Sequence, residues 1–208
     1  MAGAPLTAEV SIPDMARRAG KLAEEHACDV VVGFSYGASV AVEMVLSGYF
    51  HGPVVLLGLS LTTPDESTFF RYMVRASQTL GRWPMAILFR LMPLMARSAR
   101  TPEEHKKELI EDFKQNRAGD AVRVCREYLD YIAADRDFAA ELAASGTPVW
   151  VVHAEKNGDG GLTEAERATL EAAPNVTLVT LPGAVFLIPD VAPGRTADVI
   201  ADALKQAS

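Results

Sequence analysis

Residues 29–48, DVVVGFSYGASVAVEMVLSG, constrain the fold more than any other stretch of the chain. A β-branched run, Val30 to Val32, ends in Gly33-Phe34-Ser35-Tyr36-Gly37 and passes without a linker into a segment where Val40, Ala41, Met44 and Val45 recur at helical spacing. Continuous valine runs of this kind are buried on both faces in parallel sheets. The pattern predicts a strand, a tight turn carrying a serine, and a helix. A Gly-x-Ser-x-Gly in that setting reads as a nucleophile elbow, where the turn is sharp enough to strain the serine backbone and expose its hydroxyl at the carboxyl edge of the sheet. Glycines two before and two after the serine then let helix and strand approach closely. The competing reading is an ordinary strand-to-helix turn in which Ser35 caps the helix.

The elements on either side extend the same architecture. Ser11-Ile12-Pro13-Asp14 has the form of a helix start with proline in the first turn. Ile12, Met15, Ala16, Ala19, Leu22, Ala23 and His26 follow at helical spacing, so His26 is expected to pack at the end of that apolar stripe. Pro53 to Leu59 reads as a second buried strand, and His51 precedes it, at the end of the sheet opposite Ser35. Pro148 to His153 and Asn175 to Leu181 read as two more strands. Thr163-Glu-Ala-Glu166 caps a helix between them, and residues 196–207 form a closing helix. Strands alternating with helices through crossovers predict an α/β fold with a mostly parallel sheet of about four strands.

Residues 65–146 contain no convincing strand but several helical patterns, too much for a simple crossover. They are expected to form a helical lid inserted into a core made of residues 1–64 and 147–208. Phe69, Phe70 and Met73 on the first lid helix, with Phe34 and Phe186, are the candidate substrate contacts; Met and Phe at helical spacing serve equally as core. His105 stands among Glu103, Glu104, Lys106 and Lys107 and reads as a solvated lid residue.

Composition narrows the function classes. A net charge of -7 argues against a nucleic-acid footprint and against attraction to an anionic membrane surface. Cys28 and Cys125 lack metal-ligand spacing and sit in apolar surroundings, which predicts buried free thiols, no metal and a reducing, cytoplasmic setting. The first thirty residues lack the basic start and apolar core of a signal peptide, and no run is apolar enough to span a membrane.

From Ser11 onward the chain resembles the α/β-hydrolase fold family, specifically members with a helical lid between the strand after the nucleophile helix and the strand that carries the catalytic acid. The resemblance rests on the Ser-x-x-Asp-Met-Ala helix start, Gly-Phe-Ser-Tyr-Gly, Val-Val-His-Ala-Glu-Lys and Leu-Pro-Gly-Ala, which fall in family order. It implies a serine nucleophile at Ser35 and an oxyanion-hole donor in the Tyr36 N–H, with a carboxylate and a histidine further on. The chain departs from the family at both partners. The acid position holds Asn157, with Asp159 two residues on as a substitute; Leu-Pro-Gly-Ala is followed by Val185-Phe186-Leu187, and no histidine follows His153. His153, two residues before the loop, is the remaining candidate, in a place where the family often has a packing histidine.

The resemblance also implies four strands and a helix before Ser11 that this sequence does not contain, and with them the second oxyanion donor. Losing one such donor commonly costs about 100- to 1000-fold in rate. Three functions follow: an enzyme acting on an apolar acyl or carbonyl small molecule by atypical hydrolysis, cyclisation, elimination or proton transfer; a non-catalytic ligand-binding relative; or a subunit completed by another chain. No cofactor is expected. With its neighbouring strand absent, the run from Asp29 to Phe34 becomes a sheet edge, which predicts a homodimer or a complex with a chain that supplies the missing strands.

Overall fold

The computed structural model describes residues 10–81, 83–84, 86–88, 90–91, 106–108, 110–111, 118–154, 161–181 and 188–207. In chain order the elements are α1 (Ile12–Glu25), β1 (Val31–Phe34), α2 (Tyr36–Leu46), β2 (Val54–Leu57), a 3-10 turn (Thr63–Asp65), α3 (Thr68–Leu80), α4 (Ala118–Ile132), α5 (Phe138–Ala144), β3 (Val149–Ala154), α6 (Glu164–Glu171), β4 (Val176–Leu181), α7 (Ile188–Val191) and α8 (Pro193–Ala207). The sheet is parallel throughout, in the order β1-β2-β3-β4, with Val31 beside Val54, Val54 beside Val149 and Val149 beside Val176.

Side chains alternate across the pleat and divide the core in two. Val54, Leu56, Val149 and Val151 face α1, α2, α5 and α6, where Ile12, Met44, Phe138 and Leu170 close the layer. Val55, Leu57, Trp150 and Val152 face the other way, onto Ile188 of α7 and Val199 and Ala203 of α8. β2 is buried on both sides.

β1 is not. Among the described residues it is an edge strand, and Val32 keeps 43% of its surface exposed. The double burial expected for Val30 to Val32 therefore fails: a valine run fits a central strand, but a strand with a partner on one side only leaves one valine wet.

Helix starts follow their local chemistry. The Ser11 hydroxyl accepts the Asp14 N–H, and Thr163 and Glu166 form a reciprocal capping box at α6. Ser67 caps α3 through the Phe70 N–H. Two other expectations are corrected. His26 is not packed: it is the exposed C-cap residue just past α1, whose last buried residue is Ala23, so the apolar stripe ends before reaching it. Cys28 is exposed as well, since it lies in the connection between α1 and β1 rather than within either element. Cys125, on α4, is half-buried, and burial followed by the Glu66 charge pushes its thiol up to about 11.

Of the region expected as lid, α3 and α4 pack on one another, with Phe70 and Tyr128 in tilted ring contact 6.4 Å apart. Thr101-Pro-Glu-Glu104, which in sequence has the form of a capping box opening a further helix, lies outside the described residues. α5 sits within the sheet core, where Phe138, Ala139 and Leu142 are buried. Glu43, buried in the middle of α2, ties this layer together: it accepts hydrogen bonds from the hydroxyls of Ser47 and Tyr131 and from Arg136 at 3.0 Å.

Candidate functional site at the strand-to-helix turn

Ser35 stands between β1 and α2 with φ 53° and ψ -119°, a conformation that L-residues with a side chain rarely adopt. Its N–H donates to the Leu57 carbonyl at 2.9 Å, and its carbonyl accepts from Ala38 and Ser39, so the backbone is held from both sides. The hydroxyl makes no capping bond to α2. That removes the capping alternative: a serine serving as N-cap takes extended backbone angles and accepts an amide of the first turn, as Ser11 and Ser67 do. Tyr36 is the first residue of α2, and its N–H is among those with no acceptor inside the helix. A carbonyl oxygen placed beside Ser35 would meet that amide and the positive end of the helix dipole.

The two glycines of the turn are unequal. A Cβ on Gly33 would lie 2.4 Å from the Gly37 carbonyl oxygen and 2.7 Å from Ala38 Cα, whereas one on Gly37 would meet nothing within 4 Å. The close approach expected of both is required of Gly33 alone.

His153 is not brought to the serine. Along the register Phe34 aligns with Leu57 and Leu57 with Val152, so His153 lies two strands across from Ser35, about 10 Å at the usual strand spacing. Its Nε2 is hydrogen-bonded with Thr180 Oγ1 at 3.1 Å. His26 and His51 lie beside the opposite ends of the strands. Asn157, Asp159, Phe186 and His105 lie outside the described residues. Among the described residues no group of His, Cys, Asp or Glu is placed to hold a metal ion.

Of the expected substrate contacts, Phe34 is partly buried against the α7 and α8 layer. Phe70 and Met73 are half-buried, and Phe69, well around α3 from the buried Val74, points outward with 59% of its surface exposed.

The structure adds a group that periodicity did not single out. The Tyr128 ring lies 6.3 Å from that of Tyr36, and its hydroxyl donates a short hydrogen bond to the Glu66 carboxylate. Burial, and then the Glu66 charge, push the Tyr128 phenol well above its ordinary range; burial raises Tyr36 to about 12. Tyr36 itself donates to the Val10 carbonyl at 3.1 Å, which pins the segment before α1 beside the turn. Glu66 lies in a connection and Tyr128 reads from sequence as a core position, so their pairing, 62 residues apart, has no local signal.

Next to this group a second acidic site joins three segments. Asp65 is 2% exposed, and one of its carboxylate oxygens accepts the N–H groups of Leu61 and Thr62. Glu166 opposite accepts from the Thr62 hydroxyl and from both the N–H and hydroxyl of Thr163. The Gly161 N–H donates to the Asp65 carbonyl, so the return from the loop after β3 is fastened to the root of α3.

No protein-family model matches the chain, and no curated protein sequence matches it. Solved structures do. The chain is similar to an esterase from Exiguobacterium antarcticum, with a TM-score of 0.68 at 13% identity, covering 97% of this chain and 76% of that one. It is similar to a thermophilic esterase from Thermogutta terrifontis, solved with malate bound, at TM-score 0.65 and 19% identity, covering 98% and 75%. An E-2-(acetamidomethylene)succinate hydrolase matches at TM-score 0.63 and 17% identity over 95% and 75%. With its four-stranded parallel sheet, its helices on both faces and about three quarters of each neighbour's length represented, the chain has the α/β-hydrolase fold in truncated form.

Proposed function

We propose that the chain is an enzyme that binds an apolar acyl or carbonyl compound at Ser35, and that the turn there is a nucleophile elbow working without an imidazole. The observation that carries this reading is the Ser35 backbone: φ 53° with a hydroxyl released from capping. Strain of this kind costs on the order of 1–3 kcal/mol and persists where function requires the geometry. The names of the structural neighbours, esterases and hydrolases, support an acyl or carbonyl substrate.

A serine hydroxyl without a base remains a weak nucleophile. Polarisation of a carbonyl by the Tyr36 amide and the α2 dipole is independent of such a base, and Glu66, held by the Tyr128 hydroxyl beside Tyr36, supplies a carboxylate able to accept and return a proton. These features favour proton transfer, elimination or cyclisation over triad ester hydrolysis. The exposed edge at Val32 supports an association in which a second chain, in a homodimer, covers β1.

A fluorophosphonate probe tests the reading. Ser35 should be labelled, far more slowly than a triad hydrolase, and Ser35→Ala should abolish the label. Rapid stoichiometric labelling would reveal an unrecognised base, and no labelling at any exposure would remove Ser35 from the chemistry.

A further inference from the structure

We infer that the outer face of the lid, formed by α3 and the helical residues that follow it, docks the protein onto an anionic phospholipid surface. The inference is independent of the role of Ser35 and rests on two observations. The first is exposure. Phe69, Tyr72, Leu80, Trp83, Ile87 and Leu91 are all exposed, Tyr72 and Trp83 at 71% each. Phe69, Tyr72 and Leu80 fall at i, i+3 and i+11, and Trp83, Ile87 and Leu91 at i, i+4 and i+8, so each trio lies along one side of its helix. The inner side of α3, by contrast, is occupied: Val74 and Ser77 are buried and Phe70 meets Tyr128. This outward face is apolar while the helix already has its core contacts.

The second observation is charge. Residues 68–100 contain six arginines and no aspartate or glutamate, although the chain as a whole has 27 acidic residues against 20 basic. Arg75 and Arg90 are exposed beside the apolar side chains. The whole-chain charge of -7, read as excluding a membrane surface, is a sum that hides this division: the acidic residues all lie elsewhere. Arginine flanking exposed Trp, Phe and Leu is the pattern of a helix lying in a lipid interface, where the apolar side enters the acyl boundary and guanidinium groups meet anionic headgroups. A purely apolar protein partner would not call for the one-sided charge. Among the described residues no helix is long and apolar enough to cross a membrane, so the attachment is peripheral.

The experiment uses the full chain with vesicles of phosphatidylcholine alone and of phosphatidylcholine with phosphatidylserine, at low and high salt. Cosedimentation should be strong only with the anionic vesicles and weaken in high salt. Trp83 is exposed whereas Trp150 is 5% exposed in the core, so a blue shift of tryptophan emission on binding reports Trp83 and should vanish in Trp83→Phe. Arg75→Glu with Arg90→Glu, and separately Ile87→Ser with Leu91→Ser, should each weaken binding by roughly tenfold or more while leaving the circular dichroism unchanged. Equal sedimentation with neutral and anionic vesicles, unaltered binding by both double variants, or an unshifted Trp83 would overturn the inference. Self-association in the absence of lipid that Ile87→Ser with Leu91→Ser abolishes would also overturn it, because the face would then belong to a second copy.

Discussion

A Cβ on Gly33 would sit 2.4 Å from the carbonyl oxygen of Gly37, so these two glycines, symmetric about Ser35 in sequence, are not symmetric in space. Gly33 is where β1 meets the first turn of α2 with no room for a side chain. Backbone cannot give way as a flexible side chain can, and overpacking of this kind costs about 1–3 kcal/mol. Gly33→Ala should lower unfolding stability in urea by at least that range. Gly37→Ala, in an open helical position, should raise it by up to about 1 kcal/mol through helix propensity. Equal losses at both positions would contradict this geometry.

The carboxyl pair at the root of α3 makes stability depend on pH. Burial, reinforced by Glu166, pushes Asp65 up to about 7. Burial also opposes ionisation of Glu166, but the Thr163 hydroxyl and N–H and the Thr62 hydroxyl outweigh it and hold Glu166 below its ordinary value. Glu166 therefore keeps the charge and Asp65 keeps the proton. A carboxyl raised in the folded state binds a proton that the unfolded chain releases, so its contribution is complete below the unfolded value near 3.8 and is lost as pH rises through about 7. Urea midpoints should fall between pH 5 and pH 8, with the usual flat behaviour restored by Asp65→Asn, whose amide still accepts from Leu61 and Thr62 and can donate to Glu166. A parent protein with a flat profile over that window would refute the pairing.

Glu43 is the acceptor for three donors inside the α2 layer. Glu43→Ala leaves the Tyr131 hydroxyl without its acceptor and strips Arg136 of one of its two carboxylates, the other being Glu141. Because Arg136 is partly exposed and keeps Glu141, the loss is chiefly that of the buried hydrogen bonds, about 1–3 kcal/mol, whereas Glu43→Gln keeps an acceptor and should cost less than half as much. Calorimetry that ranks the two variants the other way would show that the network is not held as described.

α1 ends with the Ala27 N–H bonded to the Glu24 carbonyl and the Cys28 N–H to that of Ala23, while Ala27 takes φ 47°. That is the Schellman arrangement, in which the left-handed residue is normally glycine. Ala27→Gly should stabilise the protein by about 1 kcal/mol, less what glycine adds to the freedom of the unfolded chain. A lower melting temperature for this exposed substitution would argue against the cap.

What the sequence made legible, and what it did not, follows from range. The α2 start, the Ser11 and Thr163 caps and the four strands are local patterns, and all of them appear. The edge position of β1 was legible only through the strands that the resemblance calls for, and the valine run by itself pointed the wrong way. His26 and Cys28 were misplaced by extending a stripe or an apolar neighbourhood past the last residue that packs. The pairs Glu66–Tyr128 and Asp65–Glu166 join residues 62 and about 100 positions apart through loops, where no periodicity operates. The basic character of residues 68–100 was present in the sequence all along, and averaging the charge over the whole chain concealed it.

Stability and activity oppose one another at Ser35. Ser35 holds φ 53° and ψ -119° with its amide bonded to Leu57 and its carbonyl to Ala38 and Ser39, so the conformation is imposed by the sheet and by α2 and persists whatever the side chain. A side chain there costs on the order of 1–3 kcal/mol, and glycine escapes that cost because it lacks Cβ. Part of the gain is offset by the greater freedom of glycine in the unfolded chain, about 0.5–1 kcal/mol. Ser35→Gly should therefore be more stable than the parent by about 1 kcal/mol, while Ser35→Ala, which keeps Cβ and loses only the hydroxyl, should be no more stable than the parent. Both variants should lose fluorophosphonate labelling. A protein that stabilises on losing its serine is one in which the serine is kept for chemistry rather than for folding. Ser35→Gly proving less stable than Ser35→Ala would mean that the turn is unstrained and that the backbone gives no reason to assign Ser35 a function.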